Sequence, residues 1–340
     1  MTSKINHLIT SLDERINRLD AIKGIIAICV VIGHTKKIPQ IVLTLIFSFH
    51  VPCFFILSGY ISSLKNSDTN FISFILKKTK RILIPYVFFF IIGYVYWLLT
   101  CQIESKRLVW LSKPWWDPLI GLIDNSGQSL YVSPGLWFLP CLFLTQTSHY
   151  ILNMFFKKKF IIWLFFILTI LSAIEPKHFQ SIQPFSLHLF IASNLFYCLG
   201  HMIYSFKKKY QAIFDSFYVL ILLTPIWFFL SLFNGQVDFN NARYGHFYGL
   251  SILNAVCGSL LVAILSRYVN WAIVARIGQQ TLCILGFNFQ LLSIISFFLS
   301  ILSFHLNSFV SFITSIIVIA ICSLLYNLLK KNTPRLIGEK

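Results

Sequence analysis

The chain carries little charge for its length. Only 11% of its 340 residues are Asp, Glu, Lys or Arg, whereas an ordinary soluble domain has roughly 25%. Hydrophobic residues make up 57% of the sequence. So few charged side chains cannot cover the surface of a soluble fold of this size. The composition therefore excludes an ordinary soluble enzyme and predicts a protein whose surface faces lipid.

Carboxylates are especially scarce, with 11 Asp and Glu against 28 Lys and Arg, for a formal net charge of +17. None of them lies in the middle of an apolar segment, which argues against a proton-coupled transporter because such proteins usually carry buried carboxylates. The basic residues form short runs between apolar segments, without a basic helix face or an aromatic stacking platform. This pattern predicts that the protein contacts the lipid bilayer and does not bind nucleic acid.

Paired cysteines are also missing. The sequence has 8 Cys, none of them in a CxxC pair, and most lie inside apolar stretches where cysteine acts as a small hydrophobic residue. The pattern therefore supports neither a disulfide framework nor a metal site.

Long apolar runs are abundant. A membrane span needs about 20 mostly apolar residues, and we predict ten such segments, near 20–38, 42–63, 82–100, 134–154, 160–174, 185–205, 214–233, 247–266, 274–298 and 309–329. An even number of spans puts both termini on one side. Most basic residues between spans fall on that side, which the positive-inside rule identifies as the cytoplasm.

The predicted fold is therefore an all-α polytopic integral membrane protein with about ten transmembrane helices and both termini in the cytoplasm. Residues 1–340 form a single membrane-embedded domain with cytoplasmic tails at 1–19 and 330–340. The one longer outer segment, near 101–133, is rich in Trp, Pro and Gly. It is either an aromatic belt at the membrane interface or a lid with flat faces for sugar rings.

We select four histidines in apolar stretches as candidate buried titratable groups, namely His34, His50, His188 and His201. Lys23 lies eleven residues before His34, a spacing that returns a helix to nearly the same face after a rise of about 16 Å. One helix face thus offers a cation near the cytoplasm and a base deep in the bilayer. For His188 and His201, structural hydrogen bonding is the favoured interpretation.

The first two predicted spans form a hairpin whose turn we place near Val42. His34 and His50 are each eight residues from that point, so we expect them at similar depth. Histidine suits general-base catalysis because its ordinary pKa of ~6.5 lies near working pH. The pair is therefore a candidate for removing a proton from a hydroxyl that attacks an acyl carbon.

A basic cluster precedes the third predicted span, with Lys77, Lys78, Lys80 and Arg81 just before Pro85. Lys and Arg at the mouth of a site hold phosphates. The same charges also serve to orient a span in the membrane, and the sequence leaves both roles open.

Several segments resemble acyltransferase family 3, a family of membrane proteins. They are Arg18-Leu-Asp-Ala-Ile-Lys23-Gly24 through Val-Ile-Gly-His34; Phe49-His50-Val-Pro52 through Ser58-Gly59-Tyr60; Lys80-Arg81-Ile-Leu-Ile-Pro85-Tyr86; Gly135-Leu-Trp137-Phe138-Leu-Pro140; and Ile277-Gly278-Gln-Gln-Thr281-Leu. The His50-containing phrase is most similar to the branch called fucose 4-O-acetylase-like.

The resemblance implies an O-acetyltransferase of the bacterial inner membrane that moves acetyl from acetyl-CoA, with no permanently bound cofactor, to a hydroxyl of a surface glycan. The acceptor would be an O-antigen (lipopolysaccharide), capsule or exopolysaccharide unit, or a lipid-linked oligosaccharide. The expected catalytic residues are His34, Lys23 and His50; acetyl-CoA would meet Lys23, Lys78, Lys80 and Arg81; and Ser58, Trp137 and Asn288 would support the substrate. Two positions depart from the family: Lys23 stands where many members have Arg, and Asn288 stands where many have His.

Three alternatives stay open at this point. A glycan or lipid transporter or flippase would share the ten-helix shape without acyl chemistry. A membrane scaffold or sensor would tolerate substitution of Lys23 and His34. Within the family, another acyl group such as succinyl would replace acetyl. The sugar and hydroxyl, the side of the membrane on which the acceptor is modified, and the oligomeric state are not determined by the sequence.

Overall fold

The computed structural model describes residues 2–64, 70–101, 103, 113–124, 129–174, 187–209, 216–269, 272–303 and 307–339. Across these residues the fold is helical except for one short β-hairpin. This confirms the all-α prediction. Helices suit a chain of this composition because each satisfies its own backbone hydrogen bonds where lipid offers none.

The helices of the first half are α1 (Thr2–His34), α2 (Gln40–Phe47), α3 (His50–Leu64), α4 (Phe71–Lys78), α5 (Ile84–Thr100), α6 (Asp117–Asp124) and α7 (Phe138–Phe155). A five-residue π-helical turn, Thr79–Leu83, joins α4 to α5, and a 3₁₀ turn, Pro134–Trp137, precedes α7.

The second half contains α8 (Lys158–Ile174), α9 (Leu187–Lys209), α10 (Phe217–Asn234), the strands β1 (Val237–Asp238) and β2 (Arg243–Tyr244), α11 (Tyr248–Tyr268), α12 (Ala272–Gln279), α13 (Thr281–Ile301), α14 (Ser308–Asn332) and a 3₁₀ turn, Pro334–Ile337. The strands are antiparallel, with Val237 paired with Tyr244 and Asp238 with Arg243.

Seven helical segments in the described residues are long and apolar enough to cross a membrane: Gln40–Leu64, Phe71–Thr100, Leu189–Phe206, Phe217–Asn234, Tyr248–Tyr268, Thr281–Ile301 and Ser308–Asn332. The chain is therefore a multi-pass membrane protein, but the predicted count of ten and the orientation of the termini are not supported. Helix α1 carries Arg18, Asp20 and Lys23 in its middle, α7 is interrupted by polar side chains, and α8 has only 17 residues.

Two helix pairs pack backbone against backbone at glycines. A Cβ on Gly59 of α3 would lie 2.0 Å from the carbonyl oxygen of Tyr197, and a Cβ on Gly200 of α9 would lie 2.0 Å from that of Ile56. The same holds for α1 and α12, since a Cβ on Gly278 would lie 1.8 Å from the Asp20 carbonyl oxygen. Small residues allow such close approach between helices that lipid does not drive together.

The β-hairpin between α10 and α11 turns back into the helical bundle. Its tip residue Phe239 is buried and packs against Trp137, Phe55 and Phe196. The fully buried Asn234 holds the hairpin, because its amide donates to the Tyr244 carbonyl at 3.0 Å and accepts from the Phe247 backbone N–H at 2.9 Å. Irregular backbone at such a place is tolerated because protein surrounds it.

The first hairpin of the chain turns earlier than predicted. Helix α1 ends at His34 and α2 begins at Gln40, so the turn occupies residues 35–39 and not the neighbourhood of Val42. Lys37 in this turn has a φ of 62°, a left-handed conformation that permits the sharp reversal. The sequence misplaced the turn because Ile38 and Ile41 continue the apolar pattern through it.

Candidate functional site

A cavity of about 440 Å³ lies between α1, α3, α4, α7 and the α12–α13 region. At one end it is lined by Lys77, Lys78 and Arg81, and at the other by His34 and His50. Its middle is mainly apolar, with Phe54, Leu57 and other large side chains, interrupted by a few polar groups. The cavity therefore joins a cationic end to an imidazole end.

Seven of the nine predicted site residues line this one cavity: Lys23, His34, His50, Ser58, Lys78, Arg81 and Trp137. The other two do not. Lys80 is exposed on the π-helical turn, and Asn288 is buried within α13, where its Oδ1 has no hydrogen-bond partner among the described residues. The structure thus gathers most of the predicted residues, while their chemical roles stay predictions.

The two histidines at the imidazole end are separated by one aromatic ring. Phe47 packs edge-on against both, with ring centroids 6.1 Å from His34 and 5.0 Å from His50. His50 is buried and its Nδ1 lies 2.9 Å from the Ile46 carbonyl oxygen. Because a carbonyl only accepts, Nδ1 carries the proton and Nε2 remains able to accept. His34 ends α1, and its side chain is exposed where it borders the cavity.

Lys23 is held by a carboxylate that the sequence analysis did not select. One oxygen of Asp20 accepts from Lys23 Nζ at 2.9 Å and the other from Gln279 Nε2 at 3.1 Å. Lys23 and Gln279 both line the cavity, whereas Asp20 lies behind them with its side chain only 11% exposed. An Asp three residues before a Lys on a predicted helix is a signal that could have identified this pair.

The cationic end is built where α4 meets the π-helical turn. Asn70 caps α4 by accepting from the Ser73 backbone N–H at 2.9 Å, and Lys78 Nζ lies 5.3 Å from the centre of the Phe74 ring. The continuous helical segment Phe71–Thr100 has 30 residues, or roughly 45 Å, which exceeds the ~30 Å hydrocarbon core of a bilayer. Its basic beginning can therefore lie in water while the rest spans the membrane.

A polar wall interrupts the apolar middle of the cavity. Gln146 of α7 donates from Nε2 to Ser58 Oγ of α3 at 2.7 Å, and both residues line the cavity. The sequence analysis named Ser58 but missed Gln146. The available signal was the run of polar residues from Thr145 to His149 inside a predicted span, where an unpaired polar group is costly.

Trp137 lies at the imidazole end of the cavity. It closes the 3₁₀ turn before α7, is buried, and stacks on Phe239 of the re-entrant hairpin with centroids 6.1 Å apart and planes 22° apart. Trp137 is thus joined to a loop for which the sequence analysis assigned no function.

The remaining sequence predictions lie away from the cavity. His201 Nδ1 bonds the Ser63 hydroxyl, and its ring stacks on His149 with centroids 4.6 Å apart. The side chain of His188 lies outside the residues whose side chains are described, as does Trp110 of the Trp-rich segment, while Trp115 and Trp116 are exposed. Among the described residues no cluster of His, Cys, Asp or Glu has the arrangement of a metal site.

The sequence profile of acyltransferase family 3, described as an acyltransferase domain, matches residues 16–328, which is almost the whole chain. No curated protein and no solved structure matches the chain. The matched range includes the whole cavity, from Lys23 on α1 to the α12–α13 region. The chain therefore belongs to acyltransferase family 3, as a multi-pass membrane acyltransferase.

Proposed function

We propose that the protein is an O-acetyltransferase of the bacterial inner membrane that moves acetyl from acetyl-CoA to a hydroxyl of a cell-surface glycan or of its lipid-linked precursor. The observation that carries this proposal is the cavity that joins Lys78 and Arg81 to His34 and His50. Such a shape suits a donor with phosphates at one end and a reactive acyl group at the other.

The length of the donor supports this assignment. Lys23 and His34 are separated by a rise of about 16 Å along α1. The arm that joins the diphosphate of CoA to its sulfur is about as long as a four- to five-residue extended peptide, or roughly 15 Å. A thioester beside His34 would therefore leave the diphosphate near Lys23, with Lys78 and Arg81 beyond it.

Direct transfer is the simplest chemistry for these residues. A ring nitrogen of His34 takes the proton of the acceptor hydroxyl while that oxygen attacks the thioester carbonyl. The carbon–sulfur bond then breaks, and the imidazolium returns the proton to the departing sulfur, giving the O-acetyl ester and CoA-SH. Phe47 contacts the His34 and His50 rings edge-on and so restricts the orientations open to them.

The topology that accompanies this function places the basic end of the cavity in the cytoplasm, where acetyl-CoA is made. We propose ten spans, in which α1, α7 and α8 cross the membrane beside the seven apolar segments. The charges in the middle of α1 are compatible with a span because Asp20 pairs with Lys23 and the Arg18 guanidinium donates to the Ala263 carbonyl at 3.0 Å.

The test is transfer of radiolabelled acetyl from acetyl-CoA to surface glycan in membranes that contain the wild type or His34→Ala. We expect the variant to accumulate normally and to lose at least ~10²-fold in rate, the usual contribution of a general base. His246→Ala is the matched control, because His246 is exposed and lies outside the cavity. Retained transfer in the His34 variant would remove this residue from the mechanism, and unmodified glycan that fails to reach the surface would favour a flippase.

A further inference from the structure

The segment that follows α14, residues 334–339, lies against the π-helical turn at the cationic end of the cavity. We call it the α14 extension. It consists of the 3₁₀ turn Pro334–Ile337, then Gly338 with a left-handed φ of 77°, then Glu339. Its own backbone closes it, because the Gly338 N–H donates to the Arg335 carbonyl at 3.3 Å. The Glu339 N–H likewise donates to the Pro334 carbonyl at 3.0 Å.

The π-helical turn has a cause in the sequence. Pro85 has no N–H, so it cannot donate to the Arg81 carbonyl four residues earlier, and its ring crowds that carbonyl. An extra residue in the turn relieves this clash, which accounts for the π-helical geometry of Thr79–Leu83. The Arg81 carbonyl is therefore without the partner that a continuous α-helix would give it, although Arg81 lines the cavity.

The α14 extension packs on this carbonyl. A Cβ on Gly338 would lie 2.9 Å from the Arg81 carbonyl oxygen and 3.3 Å from Pro85 Cγ, so only glycine allows the present approach. Ile337 is 3% exposed and belongs to the same hydrophobic core as Ile82 of the π-helical turn. None of the described residues 334–339 lines the cavity. The extension therefore supports the π-helical turn from outside the cavity.

The other end of the extension is attached to α14. Glu339 Oε1 accepts from the Tyr326 hydroxyl at 2.9 Å. Tyr326 is buried, and Lys330 Nζ lies 5.4 Å from the centre of its ring. The extension thus connects α14 to the turn that carries Arg81.

We propose that the α14 extension positions Arg81 for the anionic part of the donor, through the contact between Gly338 and the Arg81 carbonyl. This inference rests on the proposed acetyl transfer and adds to it a segment outside the cavity on which donor binding depends. Gly338, Ile337 and Glu339 are positioning residues, and Arg81 alone would touch the donor.

A positioning role predicts a particular kinetic result. The phosphates of the donor lie far from its thioester, so Arg81 holds them equally in the ground state and in the transition state. Displacing Arg81 should therefore raise KM with little change in kcat. A role in stability alone would lower the melting temperature and the amount of active protein while KM stays constant.

The experiment measures KM and kcat for acetyl-CoA with purified wild type and Gly338→Ala in lipid nanodiscs. We expect KM to rise at least threefold and kcat to stay within twofold. Gly235→Ala is the matched control, because a φ of 76° strains an alanine there in the same way. A Cβ on Gly235 would meet only the His246 side chain, at 3.3 Å, and Gly235 does not line the cavity. The control should lower the melting temperature and leave KM unchanged.

Two further variants test the path of the effect. Arg81→Ala should itself raise KM, and adding Gly338→Ala should raise it no further because both changes remove the same contact. Tyr326→Phe removes only the hydroxyl that holds Glu339 and should also raise KM. This milder variant decides the question if Gly338→Ala does not fold.

Three results would overturn the inference while leaving acetyl transfer intact. They are an unchanged KM in Gly338→Ala (or in Tyr326→Phe if the former does not fold), an equal rise in Gly235→Ala, and a further rise in the double variant. A wild-type protein that transfers no acetyl from acetyl-CoA would instead overturn the proposed function and, with it, the inference.

Discussion

The backbone contact between α3 and α9 makes a sharp prediction for Gly200. Adding a methyl group in Gly200→Ala would put a carbon 2.0 Å from the Ile56 carbonyl oxygen and 2.8 Å from the Tyr60 backbone nitrogen. Both neighbours belong to a helix backbone and have no rotamer to change. The two helices must therefore separate, and the wall that carries Ser58 must move with α3.

The size of the effect follows from this distance. The contact must open from 2.0 Å to about 3.4 Å, where ordinary van der Waals contacts begin, so the helices separate by roughly 1.4 Å. Overpacking of this kind costs typically 1–3 kcal/mol, while alanine gains about 1 kcal/mol over glycine in a helix. We expect a net loss of up to about 2 kcal/mol and a melting temperature lower by several degrees.

The assay is thermal unfolding of purified protein in detergent, followed by the loss of its monodisperse peak in size-exclusion chromatography. Gly249→Ala is the matched control, because Gly249 lies in the first turn of α11 and a Cβ there would meet nothing within 4 Å. The control should melt at the wild-type temperature or slightly above it. If Gly200→Ala melts together with this control, α3 and α9 do not approach as closely as described.

Two further predictions concern charged groups. Asp20→Asn should raise KM for acetyl-CoA about threefold with little change in kcat, because Lys23 loses an ion pair of the modest strength typical of partly exposed groups. Steady-state kinetics with acetyl-CoA measure this effect. A changed kcat with constant KM would contradict it. Asp117, outside the candidate spans, accepts hydrogen bonds from the Tyr131 hydroxyl and from Lys113, which hold the pKa of its carboxyl below the ordinary 3.8. A carboxyl with a lowered pKa stabilises the fold above its ordinary pKa and loses this effect as the pH falls through its folded-state pKa. Asp117→Asn should therefore lower the melting temperature at neutral pH but not in acid. A lower melting temperature that persists in acid would argue against the ionised carboxylate as its cause.

The sequence predicted the helical membrane fold and the family because both depend on strong, repeated signals. Long apolar runs identified most helices within a few residues, and the eleven-residue interval between Lys23 and His34 put both on one face of α1, where both now line the cavity. Of the predicted basic residues, Lys78 and Arg81 line the cavity, but Lys80 does not.

What the sequence could not predict depends on packing between distant segments. Gln146 is recognised as part of the cavity wall only through its hydrogen bond to Ser58, 88 positions earlier in the chain. The re-entrant hairpin with Phe239 has no apolar periodicity, so the sequence offers only a connection between two predicted spans at this place. The predicted count of ten spans is not supported, because α1 and α7 carry polar side chains and α8 is short, so that only seven described segments are long and apolar enough.

The π-helical turn at Thr79–Leu83 gives the cationic end a property that its composition alone does not reveal. A π turn holds more residues than an α turn, so it changes the angle between α4 and α5 relative to a continuous α-helix, in which each residue turns the chain by about 100°. Deleting one residue here would keep every positive charge yet rotate Lys77 and Lys78 away from the cavity. In evolution, insertions and deletions in this segment would therefore change the affinity of the cationic end for an anionic ligand without replacing a single lysine or arginine.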